Sequence, residues 1–215
     1  YLFKGGDYYL ERENDPAVQG DIRSLLGTKK VELMKPNGRP YVCPVVVEPK
    51  FGMDPTGQYT YMADLLPMKY RFFWNFTDTE LIGEIIVKTK GWVAFGLSPN
   101  GAMAGSDVFV AWINDVDGTV NFTDRHIVDK KVLIDQKQDW FVLATKQVND
   151  FTLIKFKRSI VSCDTEDMKI QKGSPYVIYA FGVADPAPGA DITYHQANRG
   201  SKVLNLISAP KSLTL

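Results

Sequence analysis

Cysteine is almost missing from this chain of 215 residues, which holds only Cys43 and Cys163. Two cysteines exclude a disulfide framework and a thiolate zinc site. Histidine is as scarce, with only His126 and His195. No H-x-H or H-x-x-x-H pair occurs, so a multi-histidine copper or zinc centre cannot be built from this chain alone. No G-x-S-x-G occurs either, which removes the nucleophile elbow of a Ser-His-Asp hydrolase. Charge of one sign is lacking: 25 Lys and Arg balance 25 Asp and Glu, so no global field attracts nucleic acid or an anionic membrane. No apolar run approaches the roughly 18 residues of a membrane span. The chain begins at Tyr1 with neither initiator methionine nor signal peptide, as a mature or trimmed product would.

What is present is a core. The composition is 45% hydrophobic and 12% aromatic, enough to bury a substantial interior in one large domain. From about residue 66, runs rich in β-branched and aromatic residues alternate with turn signals. They read "KYRFFWNF", "LIGEIIVKT", "GWVAFGLS", "DVFVAWI", "TVNFTD", "WFVLATKQ", "FTLIKFKR", "YVIYAFGV" and "KVLNLI". In "FTLIKFKR", Thr152, Ile154 and Phe156 share one face of a strand. Asp117-Gly118 and the "VND" at 148–150 suit hairpin turns. Many short strands and no sustained helical period predict an all-β sandwich or barrel.

Residues 1 to 60 have another character. Breaker clusters such as "KPNGRPYVCP" and "FGMDPTGQY" dominate, with one short helix expected at "DIRSLLG". The expected organisation is an irregular extension over 1–60, tied to a sandwich over 61–215. The tie would be a Cys43–Cys163 disulfide. "NFT" occurs at Asn75 and again at Asn121, and both are glycosylation acceptors in a secretory chain. These features together predict a secreted or lumenal protein, where two such thiols pair.

The chemistry-bearing residues are few. Met103 lies in "GAMAGSD", a long thioether among small residues, either gap-filling core or a soft ligand on a tight loop. His195 lies in "ITYHQANRG", either a loop histidine bonded to a neighbour or a ligand. Thioether plus imidazole suffices for haem iron, since the porphyrin supplies four nitrogens. Asp107 opens an apolar strand, where an inward carboxylate needs a partner or a cation. "NDVDG" at 114–118 is a turn and not an EF-hand, because the phasing fails and the closing Glu is absent.

Three stretches carry a resemblance: "GWVAFGLSPNGAMAGSDVFVAWI", then "QDWFVLATKQ" with "FTLIKFKRSIVSCDTED", then "YHQANRGSKVLNL". Together they resemble a DOMON domain over roughly residues 60 to 208, nearest to the N-terminal one of dopamine β-hydroxylase and MOXD-type monooxygenases. The resemblance implies an immunoglobulin-like β-sandwich. Cytochrome-type members of the family bind haem b through a Met and a His, and Met103 and His195 fall on those positions. The dopamine β-hydroxylase domain implies instead a metal held by two Asp and two carbonyls, here Asp107, Val108, Arg125 and Asp139. The copper-binding catalytic domains of that family are absent from this sequence, so monooxygenase activity is not expected. The expected function is a secreted haem b protein in one-electron transfer or haem and redox sensing, with a redox or protein partner the sequence does not name. The alternative is a non-enzymatic interaction or apolar-ligand module stabilised by Ca²⁺.

Overall fold

The computed structural model describes residues 51–162, 167–171, 173 and 176–207. The expected helix at "DIRSLLG", Cys43 and Cys163 lie outside them. Eleven strands follow one another: β1 Tyr61–Leu66, β2 Tyr70–Phe76, β3 Glu80–Val87, β4 Val93–Ser98, β5 Asp107–Ile113, β6 Val120–Val128, β7 Lys131–Ile134, β8 Trp140–Val148, β9 Phe151–Ser159, β10 Tyr176–Phe181 and β11 Arg199–Val203. They form a five-stranded sheet in the order β1-β2-β3-β9-β8 and a six-stranded sheet in the order β11-β10-β4-β5-β6-β7. All pairings are antiparallel. The all-β sandwich expected from the sequence is the fold.

Side-chain alternation assigns the faces. Phe72, Trp74, Leu81, Ile85, Val93, Phe95, Phe109, Ile154 and Phe156 point between the sheets and form the main core. Its rings pack at offset and edge geometries; Phe72 lies 4.5 Å from Phe95, and Phe109 lies 4.8 Å from Phe156. The strands β4 and β5 do not alternate polar and apolar. Their residues Val93 to Ser98 and Asp107 to Ala111 are all buried. A strand apolar on both sides needs cover on both sides. The outer face of the six-stranded sheet accordingly carries a second cluster of Trp92, Ala94, Val108, Val110 and Ile127. A third cluster, Phe51, Ile86 and Leu153, covers the outside of the five-stranded sheet.

Three hairpins follow from turn chemistry. Asp117-Gly118 sits between β5 and β6, with Gly118 at φ 73°. Asn149 at φ 54° turns β8 into β9, and Asp129 at φ 57° turns β6 into β7. The strands β1 and β7 are additions to the sequence reading. β11 is a correction: it spans Arg199–Val203, while Leu204, Leu206 and Ile207 of the expected "KVLNLI" strand pack against the core after it ends. Gly200 is required there, because a Cβ would meet Tyr179 Oη at 2.5 Å.

The first ten described residues pack onto the sandwich. Glu84 is fully buried on the outer side of β3. Its carboxylate accepts from Thr56 N (2.7 Å), Thr56 Oγ1 (2.6 Å) and Tyr59 Oη (2.9 Å). Burial, reinforced by Glu84, pushes the Tyr59 phenol well above its usual range. Glu84→Gln swaps one accepting oxygen for an amide that faces donors. Denaturant titration should show a loss of about 1–3 kcal/mol. An unchanged midpoint would mean that this network contributes nothing to the fold.

Candidate functional site

Met103 lies on the loop between β4 and β5, and the sequence builds that loop tightly. Gly101 (φ 81°) and Gly105 (φ 75°) flank it in the left-handed region. Both Ser98 Oγ (2.6 Å) and Ser106 Oγ (2.8 Å) donate to the carbonyl of Ala102. Ser106 N donates to Met103 O at 3.1 Å, and Gly105 N donates to Ile127 O at 2.8 Å. The loop is thus fastened to β6, and the half-buried Met103 side chain packs against the outer cluster of the six-stranded sheet.

His195 lies on the strap of residues 182–198 between β10 and β11. The strap crosses the outside of the same sheet. Ile192 packs against the outer cluster beside Met103. Trp92 Nε1 donates to Thr193 Oγ1 at 3.3 Å, and Arg125 Nη1 donates to Asp191 Oδ1 at 2.7 Å. His195 itself is buried, 9% exposed, in contrast to an open loop histidine. Its ring lies 4.7 Å from that of Tyr194. Its Nδ1 lies 3.1 Å from Gln196 O and 3.4 Å from Arg199 Nη1. One Nδ1 cannot both donate to a carbonyl and accept from a guanidinium. The carbonyl is the nearer of the two. With the proton on Nδ1 facing that carbonyl, Nε2 would be the basic nitrogen, the tautomer a metal-binding imidazole needs. The loop of Met103 and the strap of His195 meet on one apolar cluster, 92 residues apart in sequence.

Asp107 lies on the opposite face of β5, inside the sandwich, and is completely buried. The sequence required a partner or a cation there, and three partners are present. Trp140 Nε1 donates to Oδ1 at 2.6 Å, and Met168 N donates to Oδ2 at 2.8 Å. Arg158 Nη2 lies 2.5 Å from Oδ2 as an ion pair, with both side chains 1% exposed. Carboxylate oxygens of Asp107, Asp124 and Asp167 lie within 4.8 Å of one another. Asp139 meets this group through its backbone, its N donating to Asp124 Oδ2 at 2.7 Å, while its Oδ2 accepts from Ser162 Oγ at 3.3 Å. Val108 and Arg125 face each other across the β5–β6 ladder.

The charge of this group is unbalanced. Among the described residues three carboxylates cluster beside one guanidinium, that of Arg158, which pairs with Asp107 and Asp167. Asp124 Oδ1 and Asp167 Oδ2 are buried without a hydrogen-bond partner among the described residues. Burial pushes Asp107 up to about 6, against the pull of Arg158, and pushes Asp124 up to about 8, against hydrogen bonds from the Asp139 and Trp140 amides. Protons or a hard cation can relieve the surplus. Arg158 and Asp124 were missed in the sequence, although the alternation through Thr152, Ile154 and Phe156 runs on to Arg158.

The sequon residues both lie in strands and are half-buried. Asn75 sits in β2, its Oδ1 accepting from Thr60 N at 2.7 Å and its Nδ2 donating to Gln58 O at 2.9 Å. Asn121 sits in β6, opposite Trp112 of β5.

A two-sheet antiparallel sandwich with loops and a strap closing over one outer face defines a small class of β domains. The model of the family described as "DOMON domain" matches residues 68–182, and the chain belongs to that family. MOXD1 homolog 1 of Drosophila melanogaster is 31% identical over 152 residues, 68% of this chain and 22% of that protein. DBH-like monooxygenase protein 1 of Homo sapiens is 31% identical over 148 residues, 68% of this chain and 24% of that protein. The chain therefore spans about a quarter or less of these curated relatives. Among solved structures, the cytochrome domain of Myriococcum thermophilum cellobiose dehydrogenase aligns with a TM-score of 0.53 at 16% identity, covering 68% of this chain and 81% of that one. The cytochrome b domain of pyranose dehydrogenase from Coprinopsis cinerea aligns with a TM-score of 0.51 at 16% identity, covering 63% of this chain and 76% of that one. At this identity the likeness concerns the fold.

Proposed function

We propose that this domain binds haem b on the outer face of its six-stranded sheet and serves one-electron transfer or haem and redox sensing. The observation that carries the reading is the meeting of the Met103 loop and the His195 strap on one apolar cluster. The cytochrome domains of like fold support it. The residues fit the group: Met103 offers a thioether from an apolar surface, and His195 offers a buried imidazole whose Nδ1 lies beside the Gln196 carbonyl. Haem b, when bound, supplies a one-electron iron couple. Met103 and His195 would hold it from the loop and the strap. A thioether ligand would favour the reduced state, and held by both Met103 and His195 the group would supply electron transfer rather than an oxygenase reaction. The domain is on this reading a carrier or sensor and not itself an enzyme, and its redox partner is a separate protein or domain. Titration of the purified chain with haemin tests the reading. One equivalent should give a low-spin, six-coordinate spectrum. A spectrum of haemin unchanged by the protein would overturn it.

A second site is favoured by the three clustered carboxylates and by Asp124 Oδ1, which is buried without a hydrogen-bond partner among the described residues. A hard cation such as Ca²⁺ among Asp107, Asp124 and Asp167 would balance their charge, with the carbonyls of Val108 and Arg125 next to two of them in sequence and Asp139 bonded to Asp124 through its amide. An ion that binds only the folded state raises the melting temperature. Without it, Asp124 sets the pH response. Its folded value, about 8, lies above the unfolded value of 3.8, so ionising it costs stability as pH rises from near 4 through 8. Melting temperature should therefore fall between pH 6 and pH 8 in chelator, and the slope should flatten in saturating Ca²⁺. Identical slopes with and without Ca²⁺ would remove the cation. We propose as well that the protein passes through the secretory path, with a Cys43–Cys163 disulfide and glycans at Asn75 and Asn121; peptide mapping of the protein from a secretory host tests both.

A further inference from the structure

The outer face of the six-stranded sheet holds a buried charge within its apolar cluster. Arg125 lies on that face, two residues from Ile127 and opposite Val108, both members of the outer cluster. Its side chain is only 4% exposed. Nε donates to Thr123 Oγ1 at 2.9 Å, and Nη1 donates to Asp191 Oδ1 at 2.7 Å. A guanidinium never deprotonates in a protein, so a buried one always needs an anion. Here the anion is supplied by the strap. Asp191 has a side chain 63% exposed and carries the negative charge alone. Burial opposes that charge, but the hydrogen bonds from Arg125 and from Ile192 N outweigh it and hold the carboxyl below its usual range. The pair thus joins a buried cation to a solvated anion.

That asymmetry has a consequence for any occupant of the cluster. The ion pair lies beside the place where Ile192 of the strap and Met103 of the loop rest on the sheet. A ligand lying under the strap either leaves Asp191 on Arg125 or brings a carboxylate of its own. We propose that Arg125 is the acid-recognition residue of this site: it takes the carboxylate of an apolar ligand in place of Asp191, and so frees the strap at one of its polar anchors. Other anchors stay, among them Trp92 Nε1 to Thr193 Oγ1, Asp115 N to Asp185 Oδ2 and Arg199 Nη1 to Tyr194 Oη. The proposal rests on the haem reading above, in which the acid is a haem propionate. It selects for ligands with an apolar body and an acid edge, and it makes Asp191 an internal competitor of the ligand.

Haemin and its dimethyl ester differ only in that acid, which makes them the probes. Both are titrated into the wild type, Arg125→Gln and Asp191→Asn, with affinity read from the Soret band and folding from circular dichroism. Wild type should bind haemin roughly tenfold or more tighter than the ester, as expected for a charge-assisted bond. Arg125→Gln should bind the two alike. Asp191→Asn, which removes the competitor, should bind haemin more tightly than wild type and leave the ester unchanged. A gain of affinity cannot arise from misfolding, so this variant keeps the test decisive if Arg125→Gln does not fold. Equal binding of haemin and ester by wild type, both low-spin, overturns the role of Arg125 and leaves Met103 and His195 standing. Weaker haemin binding by Asp191→Asn overturns it too. Failure of wild type to bind either probe removes the haem reading and this inference together.

Discussion

Arg158→Met should cost the fold about 3–5 kcal/mol at pH 8, the usual result of stripping the partner from a buried charge. Arg158 is 1% exposed and lies 4.7 Å over the Trp140 ring. It is the only cation among the described groups paired with Asp107 and Asp167, at 2.5 and 3.5 Å. Methionine fills much of the same volume, so the loss reports charge more than packing. The pH dependence separates the two. Burial already raises Asp107 to about 6 and Asp124 to about 8, and removal of Arg158 takes away the attraction that lowers Asp107. Protonation then stands in for the missing cation. The difference from wild type should be largest at pH 8 and should shrink by pH 5, in urea titrations at each pH. A constant difference across that range would make Arg158 a packing residue on Trp140. Adding Asp107→Asn to Arg158→Met should recover part of the loss, since it removes the charge left behind.

His195→Ala should weaken haemin binding by about a hundredfold, the upper end of what disturbing a metal site costs. Imidazole would be the stronger of the two proposed ligands, and no other histidine lies on the strap. Met103→Leu should behave differently. Leucine keeps the volume and the contact with the outer cluster at a cost under about 1.5 kcal/mol, yet offers no sulfur. Haemin should still bind, but with a five-coordinate or water-ligated spectrum in place of the low-spin form. Absorption spectra of the three proteins, each with one equivalent of haemin, make the comparison. A Met103→Leu spectrum identical to wild type would show that the thioether is not a ligand. Met103 would then be a packing residue on its small-residue loop.

The strands that the sequence showed best are those with the densest apolar chemistry. β2, β3, β4, β5, β9 and β10 all coincide with long runs of β-branched and aromatic residues. β1, "YMADLL", sits between breakers and carries an aspartate, so its pattern is weak. β7 is four residues at a sheet edge, too short for alternation to show. β11 was displaced because hydrophobicity pointed to Leu204 and Leu206, whereas pairing to β10 selected Arg199 to Val203, where Gly200 fits against Tyr179. The site divides in the same way. Met103, His195 and Asp107 were visible as single residues with unusual neighbours. What the chain could not show are the contacts made across long separations, Arg158 to Asp107 and Arg125 to Asp191, since those depend on which strands become neighbours.

The six-stranded sheet has apolar cover on both faces, and this divides the domain into two tiers of motion. Amides of β4 and β5 lie between the main core and the outer cluster, so hydrogen exchange there requires the whole sandwich to open. The middle of the strap is held by Ile192 and by side-chain bonds of Asp185, Asp191, Thr193 and Tyr194 rather than by a strand ladder, and it can lift while both sheets stay paired. Its amides should exchange orders of magnitude sooner. A domain layered in this way can gain, exchange or lose what lies beneath the strap without passing through an unfolded state, which leaves the occupant free to change over evolutionary time while the sandwich persists.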